Sequence, residues 1–118
     1  MNFLEGRLAA ENGEMVFVSE LYSFDAPTLM GYLAAVTERV QIGSSILPFY
    51  SRTPTLTAMT AASLDSLSGG RFIFGISPGT LPTDGEALGL DEENKNRLFA
   101  EAIDVILEIW KRDPPYDI

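Results

Sequence analysis

The 118-residue chain contains no histidine and no cysteine. Without cysteine there can be no disulfide framework. Without thiolate or imidazole, the commonest zinc ligands are missing, and neither group can serve as nucleophile or general base. Any chemistry is left to hydroxyls, carboxylates, lysine, tyrosine, backbone groups or a borrowed cofactor, and no metal site is expected. Positive charge is also scarce: 8 Lys plus Arg stand against 17 Asp plus Glu, a net charge of −9. Binding to a phosphate backbone requires a basic face that displaces counterions, so nucleic acid is not an expected partner. No apolar run approaches the ~20 residues of a membrane helix. The opening Met1-Asn2-Phe3-Leu4-Glu5 has neither the basic region nor the apolar stretch of a signal peptide. These absences predict a cytoplasmic protein without membrane contact.

The remaining composition, 46% hydrophobic and 21% charged, is that of a globular domain, and the length suits one domain. The pattern along the chain predicts alternating helices and strands. Residues 3–12 read as a helix ending at Asn12-Gly13. Met15-Val16-Phe17-Val18 is a short unbroken apolar run, as expected of a strand buried on both faces in a parallel sheet. Asp25-Ala26-Pro27 opens a helix with an N-cap acid and a proline in the first turn, and Leu29, Leu33 and Val36 mark its expected core face. Residues 40–47 read as a second strand stopped by Pro48. Thr53-Pro54 starts a further helix with expected face Leu56, Met59, Leu64 and Leu67, and Ser68-Gly69-Gly70 ends it. Residues 71–76 read as a third strand, followed by a loop over residues 77–90.

The last helix begins with acids at Asp91-Glu92-Glu93 and finishes near Lys111 and Arg112, as the helix dipole prefers. Its two apolar seams, Phe99/Ile103/Ile106/Trp110 and Leu98/Ala102/Val105/Ile109, predict a helix lying on a sheet. The order α-β-α-β-α-β-loop-α implies a parallel sheet with right-handed crossovers. It opens on a helix without the strand that should precede it, so the architecture reads as cut at both ends.

Ligands of parallel α/β folds meet the loops beyond the C-terminal ends of the strands. Three such ends are present. At the first, Glu20 could bond a ligand amide or act as a base; equally, it could cap a helix or pair with a cation. At the second, Gly43, Ser44 and Ser45 are small enough for a flat ligand to lie against the backbone, or for close packing in a narrow sheet. At the third, Gly75-Ile76-Ser77-Pro78-Gly79-Thr80 is a glycine-rich turn that could aim N–H groups at a polar ring. It matches neither the dinucleotide fingerprint nor the P-loop.

Together these segments resemble the bacterial luciferase-like flavin oxidoreductase family. Val40-Gln41-Ile42-Gly43-Ser44-Ser45-Ile46-Leu47-Pro48 is similar to its third barrel strand. Arg52-Thr53-Pro54, followed by Leu64-Asp65-Ser66-Leu67-Ser68-Gly69-Gly70-Arg71-Phe72, resembles its most recognisable stretch, and Val16-Phe17-Val18-Ser19-Glu20 is similar to its second strand. The resemblance implies a (β/α)8 TIM barrel, of which this chain would supply strands two to four. It implies FMN, or the deazaflavin coenzyme F420, at the C-terminal face of the strands, with a cis peptide at Ser45-Ile46 behind the ring. The cofactor-binding residues it implies are Glu20, Ser44, Ser45, Ile46, Ser77, Gly79 and Thr80; it assigns no catalytic residue.

Deazaflavin dehydrogenases of the family carry His after the Glu20-type acid and Glu near the Gly79-Thr80 position, where this chain has Leu21 and Thr80. Through about Gly75 the chain is most similar to deazaflavin-dependent members, and from Ser77 onward to monooxygenases acting on limonene and similar substrates. The family's phosphate-binding loops lie on later strands.

The leading expectation is therefore a piece of a luciferase-like flavin-dependent oxidoreductase or monooxygenase acting on a small organic substrate, inactive alone. One alternative is a deazaflavin-dependent dehydrogenase or reductase of the same family. A second is a non-catalytic module that pairs its open sheet edges with another copy or with the missing C-terminal half. A third is an unrelated doubly wound domain holding a small anion at residues 75–80.

Overall fold

The computed structural model describes residues 15–20, 24–79 and 91–112. The expected helix over residues 3–12 lies outside them, as does most of the expected loop over residues 77–90. The described chain runs β1 (Val16–Val18), α1 (Ala26–Val36), β2 (Ile42–Ser44), β3 (Leu47–Pro48), a 3-10 turn (Phe49–Ser51), α2 (Pro54–Leu67), β4 (Phe72–Ile73), β5 (Ile76–Ser77) and α3 (Glu92–Trp110).

All strand pairs are parallel. One sheet has the order β1-β2-β4, with Val16, Phe17 and Val18 opposite Ile42, Gly43 and Ser44, and with Ile42 and Gly43 opposite Phe72 and Ile73. The second is the pair β3-β5, with Leu47 opposite Ile76 and Pro48 opposite Ser77. The two strands expected over residues 40–47 and 71–76 are thus each interrupted, at Ser45-Ile46 and at Phe74-Gly75. Pro48 ends its strand as expected, as the last paired residue, at a strand terminus where its missing N–H is tolerated.

The first two helices start where their caps predict, and the third where its leading acids do. The Asp25 carboxylate accepts from Thr28 N at the head of α1, Thr53 Oγ1 from Leu56 N at α2, and Asp91 from Asn94 N at α3. Each such cap contributes about 1 kcal/mol. Gly69 and Gly70, both at positive φ, end α2 as expected.

The core lies between the sheet and the helices: Val16, Val18, Ile42 and Leu47 pack with Ala26, Met30, Leu33 and Ala34 of α1 and Leu64 of α2. Burying each large aliphatic side chain contributes about 1.5–3 kcal/mol. The expected helix faces need correction. On α1 the buried stripe is Ala26, Met30, Leu33 and Ala34, while Leu29 is half-buried and Val36 exposed. On α2 it is Thr57, Ala58, Ala61 and Leu64; Leu56, Met59 and Leu67 face outward. α2 is covered by α1 on one side and α3 on the other, and the close approach selects small residues over large ones. On α3, Ala102 and Ile106 are buried and Leu98, Phe99, Ile103 and Ile109 half-buried, as the two seams predict, whereas Val105 and Trp110 are more exposed. The indole of Trp110 still donates to Ala58 O (3.0 Å) and meets the Phe74 ring edge-on, tying α3 to α2 and the sheet.

At the N-terminal end of the sheet Arg71 is the organising side chain. Its guanidinium donates to Ser68 O, Val40 O, Ala34 O, Thr37 O and Thr37 Oγ1 at 2.6–3.1 Å. All five N–H groups of the side chain are used. The C-terminus of α1, the strand entry at Val40 and the α2–β4 turn are thereby held together.

Candidate functional site

The two strand interruptions face each other and are stitched. Ser45 N donates to Val18 O (2.8 Å) and Leu47 N to Gly75 O (2.9 Å), replacing ladder bonds on both sides of Ser45-Ile46. The Ser44 hydroxyl donates to Gly75 O at 2.7 Å and accepts from Gly75 N at 2.8 Å. Gly75 must be glycine: a Cβ there would lie 2.1 Å from Ser44 O, with Ile46 Cγ2 at 3.6 Å. The Ser45-Ile46 peptide is cis, the isomer that the resemblance implied. The C-terminal ends of β1, β2 and β4/β5 thus converge on a fixed bulge in the central strand, with Ser45 exposed and Ile46 half-buried.

Glu20 stands just beyond β1. Its carboxylate receives a two-pronged bond from Arg52 (Nη1 to Oε2 and Nη2 to Oε1, both 2.7 Å) and a third bond from Ala26 N (2.9 Å) at the start of α1. Burial pushes its pKa up, but the Arg52 hydrogen bond, the Ala26 N–H and the Arg52 charge outweigh that and leave it below the ordinary value. Arg52 also pairs with Asp25, whose carboxyl is held low by the Thr28 hydroxyl first and by the Thr28 N–H and Arg52 further. Glu20 is therefore an ionised structural acceptor. A general base works best with a pKa near the operating pH, and Glu20 is shifted away from it.

Beyond β5, Ser77 Oγ accepts from Gly79 N (3.1 Å), and Gly79 sits at φ 94°, which favours glycine. The Tyr50 ring packs directly against it: a Cβ on Gly79 would lie 2.6 Å from a ring carbon. Lys95 Nζ, from α3, donates to Gly79 O (3.2 Å). Tyr50 in turn meets Phe49 edge-on, and Phe49 meets Phe99 of α3.

The structure brings Ser44, Ser45 and Ile46 together with Gly75, and Pro48 pairs with Ser77 to place the Gly79 turn beside them. Ser44 is buried with its hydroxyl spent on Gly75 rather than aimed outward. Glu20 lies at the end of β1 in an ion cluster with Arg52 and Asp25. Thr80 lies outside the described residues. Arg52, Tyr50 and Lys95 were not singled out from the sequence as site residues. Gly75 was read as the start of the glycine-rich turn over residues 75–80, but not as the partner of Ser44. Among the described residues no cluster of three or more Cys, His, Asp or Glu could hold a metal, and no helix is long and apolar enough to cross a membrane.

Comparison with known proteins matches residues 6–117 to the family model for luciferase-like monooxygenases. A Mycobacterium tuberculosis protein named for coenzyme F420-dependent oxidoreduction is 34% identical over 116 residues, 97% of this chain and 33% of its own length. Limonene 1,2-monooxygenase of Rhodococcus erythropolis is 39% identical over 77 residues, 65% of this chain and 20% of its own. The crystal structure of the monooxygenase RslO1 from Streptomyces bottropensis superposes with a TM-score of 0.82 at 26% identity, covering 94% of this chain and 37% of that one. The chain spans a third or less of the length of these curated relatives.

Proposed function

The chain belongs to the luciferase-like monooxygenase family, a TIM-barrel family, and from that membership we propose that it forms the ring-side wall of a flavin site in an oxidoreductase acting on a small organic substrate. The observation that carries this reading is the stitched bulge at the C-terminal end of the central strand. In parallel barrels ligands bind at that end. The surrounding polar groups are already satisfied: Ser44 by Gly75, and Glu20 by Arg52 and Ala26. The surface left at the bulge is backbone, a serine and an isoleucine, which fits the edge and face of a flat, largely apolar ring.

Ser45 and Ile46 would support the ring from behind, and Ser77 and Gly79 would flank it. A flavin bound there supplies hydride transfer or reaction with O2 for oxygen insertion. This chain's own residues position the ring and exclude water from one side. At the end of β1 the Glu20 carboxylate is engaged by Arg52 and Ala26 N, and Leu21 stands where deazaflavin dehydrogenases of the family carry His. That departure favours FMN and oxygen insertion over acid–base-assisted dehydrogenation.

A second reading, deazaflavin-dependent hydride transfer, rests on the 34% identity over 97% of the chain to the Mycobacterium tuberculosis relative. Titrating the purified full chain separately with FMN and with the deazaflavin coenzyme, and following quenching of their fluorescence, tests both. Saturable quenching by one of them, abolished in Ser45→Trp, is expected. Absence of quenching by either, up to millimolar protein, refutes the site, and the coenzyme that binds decides between the readings.

A further inference from the structure

We propose that Tyr50 and Lys95 are positioning residues that set the backbone of the Ser77-Pro78-Gly79 turn from outside the ligand face; as a statement about ligand binding this rests on the flavin reading above. The turn has little to hold it from within. Its one internal side-chain bond runs from Gly79 N to Ser77 Oγ at 3.1 Å, and Gly79 at φ 94° lies where L side chains are rarely found. Two elements distant in sequence reach it. The Tyr50 ring, carried by the 3-10 turn that follows the bulge strand, fills the space that a Gly79 side chain would take: ring carbons stand at 2.6 and 3.2 Å, and the hydroxyl at 3.1 Å, from a Cβ built there. Lys95 Nζ, from the first turn of α3, donates to Gly79 O at 3.2 Å.

Helix energetics do not account for Lys95, because the dipole disfavours a cation in a first turn. The bond to Gly79 gives it a role there. Tyr50 is likewise fixed, edge-on against Phe49, which is itself edge-on against Phe99 of α3. The turn is therefore gripped between an aromatic stack and an ammonium that share one helix. The position of the Gly79 backbone therefore follows from how α3 seats on the 3-10 turn, and altering either grip moves it.

The test compares Lys95→Met and Lys95→Arg, and Tyr50→Leu and Tyr50→Phe, in the full chain. Three quantities are read: amide hydrogen exchange at Gly79 without ligand, FMN affinity by fluorescence, and the urea midpoint. Lys95→Met is expected to speed exchange at Gly79 and weaken FMN binding, each about fivefold, the worth of one ordinary hydrogen bond. The urea midpoint should stay put, and Lys95→Arg should restore both values. Tyr50→Leu should act in the same direction, and Tyr50→Phe, which keeps the ring against Gly79, should act less than Tyr50→Leu. Unchanged exchange at Gly79 in Lys95→Met and Tyr50→Leu overturns the proposal. So does a loss of FMN affinity that only tracks a fallen midpoint and is not rescued by arginine. If the unaltered chain binds no FMN, the flavin reading fails, and the exchange rates alone decide the positioning role.

Discussion

Replacing Glu20 with glutamine probes the ion cluster at the end of β1 with almost no change of shape. The carboxylate holds three charge-assisted bonds, two from Arg52 at 2.7 Å and one from Ala26 N at 2.9 Å. The side chains of Arg52 and Glu20 are 11% and 12% exposed, so solvent screens them only in part. A hydrogen bond to a charged group contributes about 1.5–3 kcal/mol, but three that share one carboxylate do not add. Glutamine keeps one acceptor oxygen and turns an NH2 toward a guanidinium that can only donate. The expected loss at pH 7 is about 2–3 kcal/mol, about 10 °C in Tm for a chain of this size.

The pH dependence gives the sharper test. The folded-state pKa of Glu20 is depressed, so its contribution is complete above the unfolded value, about 4.5, and is lost as pH falls through the lower folded value. The variant has nothing to titrate at this position. Urea unfolding of both proteins at intervals from pH 7 to pH 3 should show the stability gap narrowing in acid. A gap that stays constant over that range, or one under about 0.5 kcal/mol at pH 7, as for an exposed surface pair, refutes the reasoning.

Other expectations concern three single residues. Arg71→Met leaves the carbonyls of Ser68, Val40, Ala34 and Thr37 without their donor and should cost about 3–5 kcal/mol, read as a lower urea midpoint at unchanged slope. Arg71→Lys should recover less than half, since an ammonium has three donors and no planar fork. At the stitched bulge, Gly75→Ala forces a Cβ to 2.1 Å from a backbone oxygen and should cost about 3 kcal/mol. Ser44→Ala should cost about 1–3 kcal/mol and raise amide exchange at Gly75, whose N–H and C=O both bond that hydroxyl.

The caps, the strand at β1 and the alternation of elements were legible in the sequence because they depend on neighbours a few residues apart. Asp25, Thr53 and Asp91 each cap a helix within one turn. The helix faces were harder to read. Periodicity weights large apolar residues, yet α2 sits between two other helices, where Ala58 and Ala61 pack and Met59 and Leu67 do not fit. The role of Glu20 depended on a partner 32 residues away, and that of Ser44 on one 31 residues away. No local pattern announces such pairs. The break at Ser45-Ile46 was implied only by the family resemblance, and the break at Phe74-Gly75 was not read at all, because the stitching between the two strands is tertiary.

The two arginines also govern how the domain opens. Arg71 grips the last carbonyls of α1, while Arg52 reaches its first turn through Glu20 on Ala26 N and through the cap residue Asp25. A helix of 11 residues would ordinarily fray from its ends. This one is riveted at both, so its amides should exchange only with the global transition and form the slowest set in the chain. The stitched strand ends and the Gly79 turn therefore rest on a strut that opens only with the whole domain.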